Sequence, residues 1–152
     1  MSREYPPFPL VGVGALIVDG SRIVLVKRGN PPGKGEWSVP GGLVRVGETL
    51  QAAVRREAAE ETGLKVEAEG LVELLERIFR DGAGRVKYHY ILADFLCRVT
   101  GGTLAAGSDA DAALWVQRED LHGLEVAPVT LRVILAALDK QAAAGMSHAN
   151  VT

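Results

Sequence analysis

Apolar and polar positions change period several times along this chain, and the changes mark its elements. Residues 11–18 are apolar apart from two glycines, Asp19-Gly20 reads as a turn, and Ile23 to Val26 form a second apolar run. The pair predicts a β-hairpin. Residues 29–36 (Gly-Asn-Pro-Pro-Gly-Lys-Gly-Glu) carry the glycine and proline of a loop. A short strand is expected over 37–39, ending at Pro40-Gly41-Gly42. From Leu50 the period shifts to that of a helix, expected over 50–62, with Leu50, Ala53, Val54 and Ala58 on its core face. Thr49 can cap its start, and Gly63 sits where a left-handed residue would end it. Residues 65–80 and 86–98 predict two longer strands around an Asp-Gly-Ala-Gly-Arg turn at 81–85. Residues 112–116 predict a short strand. A second helix is expected over 129–143, with Leu131, Ile134, Leu135 and Leu138 on one face. Strands interleaved with two helices give an α/β class with a mixed sheet.

Composition narrows the picture. The 152 residues suit one domain, expected to span 1–152 with irregular ends at 1–10 and 145–152. With a net charge of −2 and no basic run, neither nucleic acid nor an anionic membrane is an expected partner. The apolar stretch near the start is too short to span a bilayer and lacks the flanks of a signal peptide. Cys97 is the single cysteine, set after Phe95 and Leu96, and reads as a buried strand thiol. A reducing, cytoplasmic setting is the simplest expectation.

The chemistry is concentrated between Gly42 and Leu64. Acids fall at Glu48, Glu57, Glu60 and Glu61, with Arg56 among them. On a helix, Glu57, Glu60 and Glu61 occupy an arc of roughly 100°. A Glu-rich helix face is usually just solvated. Carboxylates this close repel one another, however, and a divalent cation resolves the conflict: oxygen ligands suit Mg²⁺ or Mn²⁺, which often joins a few carboxylates to substrate phosphates.

The full spacing decides between these readings. It runs Gly42, five residues, Glu48, seven residues, then Arg56-Glu57-Ala58-Ala59-Glu60-Glu61-Thr62-Gly63-Leu64. This resembles the Nudix box, the signature of the Nudix hydrolases, with all its fixed residues in place. A chance match anywhere in a chain of this length is on the order of 10⁻⁶, taking each residue type at roughly 7% of composition. Ala58 is smaller than the aliphatic residue often found there. Trp37-Ser38-Val39-Pro40-Gly41-Gly42 resembles the family's usual approach to the box, and the order of elements is similar to its α/β/α sandwich.

The resemblance implies residue roles. Glu57, Glu60 and Glu61 would ligate the cation, and the backbone near Gly42 would approach it, which favours a residue without a side chain. Arg56 would hold Glu48 and Glu61 in place with its donor fork. Glu57 is the first candidate for the base that activates water, although the family places this group variably. Members often add an acid before a late Trp. Here that segment is Gly107-Ser108-Asp109-Ala110-Asp111, ahead of Trp115, so Asp109 is the first choice and Asp111 the second. Arg28, Arg77 and His89 are candidates for the substrate side. Arg80 rivals Arg77, since the two face opposite sides of a regular strand. Trp37 reads as core rather than a stacking platform.

The activity this resemblance implies is that of a pyrophosphohydrolase for a nucleoside diphosphate derivative, of which ADP-ribose is the leading example. The segments 28–32 and 107–115, taken with the box, are most similar to ADP-ribose-type members. A house-cleaning nucleoside triphosphate pyrophosphatase is the alternative, and a non-catalytic nucleotide sensor is the reading from another class. Such sensors often lose box carboxylates, which this chain retains. Family members are often homodimers, so a second copy is a candidate partner, with the apolar lead-in as a candidate contact.

Overall fold

The computed structural model describes residues 2–107 and 110–151, with side chains described through Gly145. Seven strands build one mixed sheet: β1 (Leu10–Asp19), β2 (Arg22–Arg28), β3 (Trp37–Ser38), β4 (Gly41–Leu43), β5 (Leu64–Arg80), β6 (Val86–Gly102) and β7 (Ala110–Gln117). Helix α1 (Leu50–Thr62) follows β4; a 3₁₀ helix at Arg118–Gly123 leads to α2 (Pro128–Val151).

β1 organises the sheet. It runs parallel to β6 from Leu10↔Tyr90 to Ile17↔Cys97, and β6 pairs antiparallel with β5. The expected hairpin is present: β1 and β2 pair at Val18↔Ile23 and Asp19↔Arg22. Beyond those pairs the two strands part. β4 takes the free edge of β1, from Gly12↔Leu43 to Gly14↔Gly41, while β3 and β7 pair with β2.

An apolar run such as β1 is expected where both faces of a strand are covered. Its odd-numbered side chains Val13, Ala15 and Ile17 pack with Ala93, Phe95 and Cys97 of β6 against Ala53, Val54 and Ala58 of α1. The even-numbered Leu16 and Val18 pack on the other face with Leu96 against Val133, Ile134, Ala137 and Leu138 of α2. The result is an α/β/α sandwich, as the family resemblance implied; the mixed sheet between two helices is what the pattern predicted.

Both ends of α1 fall where the sequence places them. Thr49 accepts a hydrogen bond from the Ala52 N–H at 3.1 Å, and Gly63 closes the helix at φ 74°, its N–H bonding to the Ala59 carbonyl. Thr62 is fully buried, yet its hydroxyl donates to the Ala58 carbonyl and accepts from the Leu64 N–H. Leu50 departs from expectation: it sits in the first turn, 36% exposed, before the helix reaches the sheet. The tail differs as well. Helix α2 continues to Val151 instead of loosening near 145. The Ala-rich run before Gly145 favours continuation, and a lone helical glycine costs only about 1 kcal/mol. At the other end, residues 2–9 lack a strand, as expected. They are tied to the β5–β6 turn by Tyr5, whose N–H bonds to the Lys87 carbonyl and whose hydroxyl donates to Asp81.

Candidate active site

The box residues assemble around Arg56, which projects from the middle of α1 toward the loop joining β4 to the helix. Its Nε and Nη2 grip the two Glu48 oxygens at 2.8 Å each. Nη1 reaches Glu57 at 2.6 Å and Glu60 at 3.4 Å, and Nη2 also bonds to the Leu43 carbonyl at 3.0 Å. An arginine has five N–H donors, and these contacts employ all of them. Arg56, Glu48 and Glu57 are largely buried, with side-chain exposures of 16%, 15% and 12%. Glu60 is more open at 41%, and Arg45 lies 3.7 Å from it.

The Arg56 fork, helped by the Arg45 backbone N–H, holds the Glu48 carboxyl at about 2, well below the usual carboxylate range. Glu48 and Glu57 in turn keep the Arg56 guanidinium firmly charged. The fork thus fixes Glu48, as the sequence implied, together with Glu57 and Glu60. Glu61, the other expected partner of Arg56, accepts a hydrogen bond from the Gly41 N–H at 3.2 Å.

Gly42 presses its backbone onto this cluster. A Cβ there would collide with the Glu57 carboxylate, so any side chain at this position would have to displace it from its place on Arg56. The carboxylates of Glu57, Glu60 and Glu61 line a cavity of about 570 Å³ together with Gly42 and Arg28. Among the described residues no three acid, His or Cys side chains converge into a ready-made cation cage.

A second cavity of about 200 Å³ opens beside the first and shares Arg3, Arg28, Val39, Gly41, Gly42 and Leu43 with it. Trp37, Leu75, Phe79, Tyr90 and Leu92 give it an apolar, aromatic lining. Trp37 packs on the α2-side core, as expected, and is at the same time a wall of this cavity.

The other candidates divide. Arg28 stands at the junction, its Nε bonded to the Pro32 carbonyl at 2.7 Å, so loop 29–36 folds back over it. Arg77 lines the aromatic cavity, lying over the Phe79 ring at 4.9 Å, and burial lowers its pKa from the usual arginine value. Its rival Arg80 turns away and bonds to the Gly84 carbonyl. His89 is off the cleft. Tyr88, Tyr90, Leu92 and Asp94 share one face of β6, and His89 lies on the opposite face across from Ile78. Asp109 lies outside the described residues. Asp111 is exposed and absent from the cavity lining, although Ala110 contributes to it. Gly107 packs against the end of α1, its N–H bonding to the Glu61 carbonyl. Sequence reasoning passes over Arg3, Tyr90 and Asp94. Of these only Asp94 leaves a signal, an acid inside an apolar strand.

A glycine loop laid against helix carboxylates, an arginine that binds them together and an aromatic cavity alongside make up the candidate site of this α/β/α domain. The chain belongs to the Nudix family: the NUDIX domain profile matches residues 9–138. It is 42% identical over 116 residues to an ADP-ribose pyrophosphatase of Methanocaldococcus jannaschii, which covers 76% of this chain but 66% of that protein's length. It is 34% identical to a putative 8-oxo-dGTP diphosphatase 2 of Mycobacterium tuberculosis, over 76% of this chain and 79% of the other. A crystal structure of a MutT NUDIX hydrolase from Burkholderia pseudomallei superimposes with a TM-score of 0.71 at 30% identity, covering 85% of this chain and 98% of that one. No helix among the described residues is long and apolar enough to cross a membrane.

Proposed function

We propose that this chain is a metal-dependent pyrophosphohydrolase of nucleoside diphosphate derivatives, with ADP-ribose as the leading substrate. The observation that carries this reading is the junction itself: an Arg56-bound carboxylate cluster opens into an aromatic cavity across Arg28. Phosphates suit the first space and a nucleoside the second. The archaeal relative's name supports ADP-ribose, though the chain spans 66% of that protein.

Nudix hydrolases generally use divalent metals, and the donor set here fits one. Glu57, Glu60, Glu61 and the Gly42 backbone would hold Mg²⁺ or Mn²⁺, all hard oxygen ligands on one wall of the cavity. When bound, the cation neutralises charge on the pyrophosphate oxygens. The remaining work falls to the chain. Arg56 holds Glu48 and Glu57 in one arrangement, so no side-chain reorganisation is needed at the moment of reaction. Arg28 and Arg77 bind phosphate and ribose oxygens along the junction. Glu57 keeps one oxygen on Arg56 and offers the other to the water that attacks phosphorus, taking up its proton. We place the chain in the cytoplasm as a single domain. A second copy is assigned as partner, because Phe8, Val11, Leu71 and Leu74 leave apolar surface exposed.

The test is phosphate release, through a coupled phosphatase, from nucleoside diphosphate sugars, dinucleotides and nucleoside triphosphates with Mg²⁺ or Mn²⁺. Turnover of ADP-ribose well above the triphosphates supports the proposal. The reverse order moves the chain to the house-cleaning reading, which the mycobacterial relative's name favours. Binding of one compound with no turnover of any makes it a sensor. Glu60→Gln should abolish most turnover while leaving the circular dichroism and melting temperature unchanged; full activity in that variant removes Glu60 from the site.

A further inference from the structure

The floor of the aromatic cavity carries two polar side chains that make no hydrogen bond within the protein, one an accessible carboxylate and the other a buried hydroxyl. Asp94 on β6 is 6% exposed and lines the cavity, and among the described residues its carboxyl takes part in no hydrogen bond. Tyr90 lies on the same face of the same strand, and its hydroxyl is buried with no partner. Buried polar groups in folded proteins are nearly always hydrogen-bonded, so an unpartnered hydroxyl beside a carboxylate open to the same cavity points to a ligand.

The surroundings are shaped to keep the acid there. Asp94 stands across from Gly14 of β1, which stands across from Gly41 of β4. A Cβ at Gly14 would collide with the Asp94 carboxylate, so that glycine makes its room. Burial, with Glu73 nearby, pushes the Asp94 carboxyl up to about 6. A donor brought by a ligand would offset the cost of holding a charge there. A structural acid would be expected to have a donor; this one makes no hydrogen bond and faces a cavity lined by Tyr90, Leu92 and Trp37, with Arg3, Arg28 and Arg77 also on its walls.

We infer that Asp94, with Tyr90 beside it, reads the edge of the substrate's base, selecting a nucleobase that presents an amino group. This rests on the reading of the cleft as a nucleotide site and names the feature of the substrate that site selects. A buried carboxylate accepts from an exocyclic N–H and gains the partner it lacks. A base without that donor leaves the charge buried and unpaired, and sites built this way reject such analogues strongly.

The experiment measures calorimetric affinity for AMP and for purine riboside 5′-monophosphate, which has hydrogen in place of the amino group. The unmodified protein should prefer AMP by about tenfold or more, the effect of one hydrogen bond to a buried charge. In Asp94→Ala the two ligands should bind alike, and Tyr90→Phe should weaken AMP binding. Because neither the Asp94 carboxyl nor the Tyr90 hydroxyl makes a hydrogen bond within the protein, and phenylalanine keeps the ring that stacks on Tyr88, both variants should melt at or above the wild-type temperature. Equal affinity of the wild type for the two nucleotides overturns the inference, as does failure to bind either. So does a large loss of stability in Asp94→Ala, which would make the acid structural. Turnover separates this from the proposed function: hydrolysis without preference for the amino group sinks the inference and keeps the enzyme, whereas preference without hydrolysis does the reverse.

Discussion

Gly63→Ala is a sharp probe of how α1 is anchored, because Gly20→Ala supplies its control. Both glycines occupy the left-handed region, Gly63 at φ 74° and Gly20 at φ 62°. An alanine at either position incurs a backbone cost of about 1–2 kcal/mol. The two differ in what the new methyl meets. At Gly20 there is nothing within 4 Å; at Gly63 the Cβ would lie 2.5 Å from the Thr103 carbonyl oxygen. That oxygen belongs to backbone just beyond β6 and cannot swing aside as a flexible side-chain tip would. Overpacking of this kind adds about 1–3 kcal/mol. Gly63→Ala should therefore cost about 2–5 kcal/mol in all, and Gly20→Ala about 1–2 kcal/mol. Urea unfolding monitored by circular dichroism, with slopes checked for constancy, reads both values directly. If Gly63→Ala proved no more damaging than Gly20→Ala, the close approach at the end of α1 would not be a constraint.

The arginine fork gives a second expectation: Arg56→Lys keeps the charge but cannot grip both Glu48 oxygens, so turnover should fall about 10- to 100-fold with the fold intact. Unchanged kcat would mean the bidentate geometry is dispensable. Acid stability tests the same contact. Glu48 is held near 2 against an ordinary value of 4.5, so its contribution is present above pH 4.5 and lost as pH falls toward 2. Between pH 5 and 3 the wild type should therefore lose more urea resistance than Glu48→Gln; parallel losses would refute the assignment. Cys97 is 1% exposed and burial pushes its thiol up to about 12, so iodoacetamide at pH 8 should leave the native protein unlabelled while modifying it in urea. Rapid labelling of folded protein would contradict the burial.

How much of the molecule is legible in its sequence depends on how local each signal is. Helix α1 is legible to the residue because Thr49 and Gly63 are chemical start and stop marks, and the box spacing carries Arg56 and its acids together. The partners within that cluster are less legible: which acid meets which arginine nitrogen depends on how the loop from Gly42 to Thr49 folds over the helix. β6 shows the limit more sharply. Sequence places His89 toward substrate, but a strand covered on both sides gives no polarity by which to choose a face, and Tyr90 holds the cleft side instead. Asp94 escapes notice for the same reason: its isolation becomes meaningful only once Gly14 is found opposite it. The continuation of α2 is hidden because the polar residues after Gly145 resemble a stop, although alanine sets the balance there.

The parting of β1 from β2 divides labour across the mouth of the cleft. One wall, built on β1, β4 and α1, carries Gly42 and the carboxylates; the other, built on β2 and the loop after it, carries Arg28 and Pro32. Past Val18↔Ile23 no β1–β2 ladder ties them. Substitutions in residues 29–36 therefore act first on Arg28 and the outline of the cleft, whereas the Arg56 fork hangs on Leu43, Glu48, Glu57 and Glu60. The outline of the cleft and the carboxylate cluster thus hang on different segments of the chain.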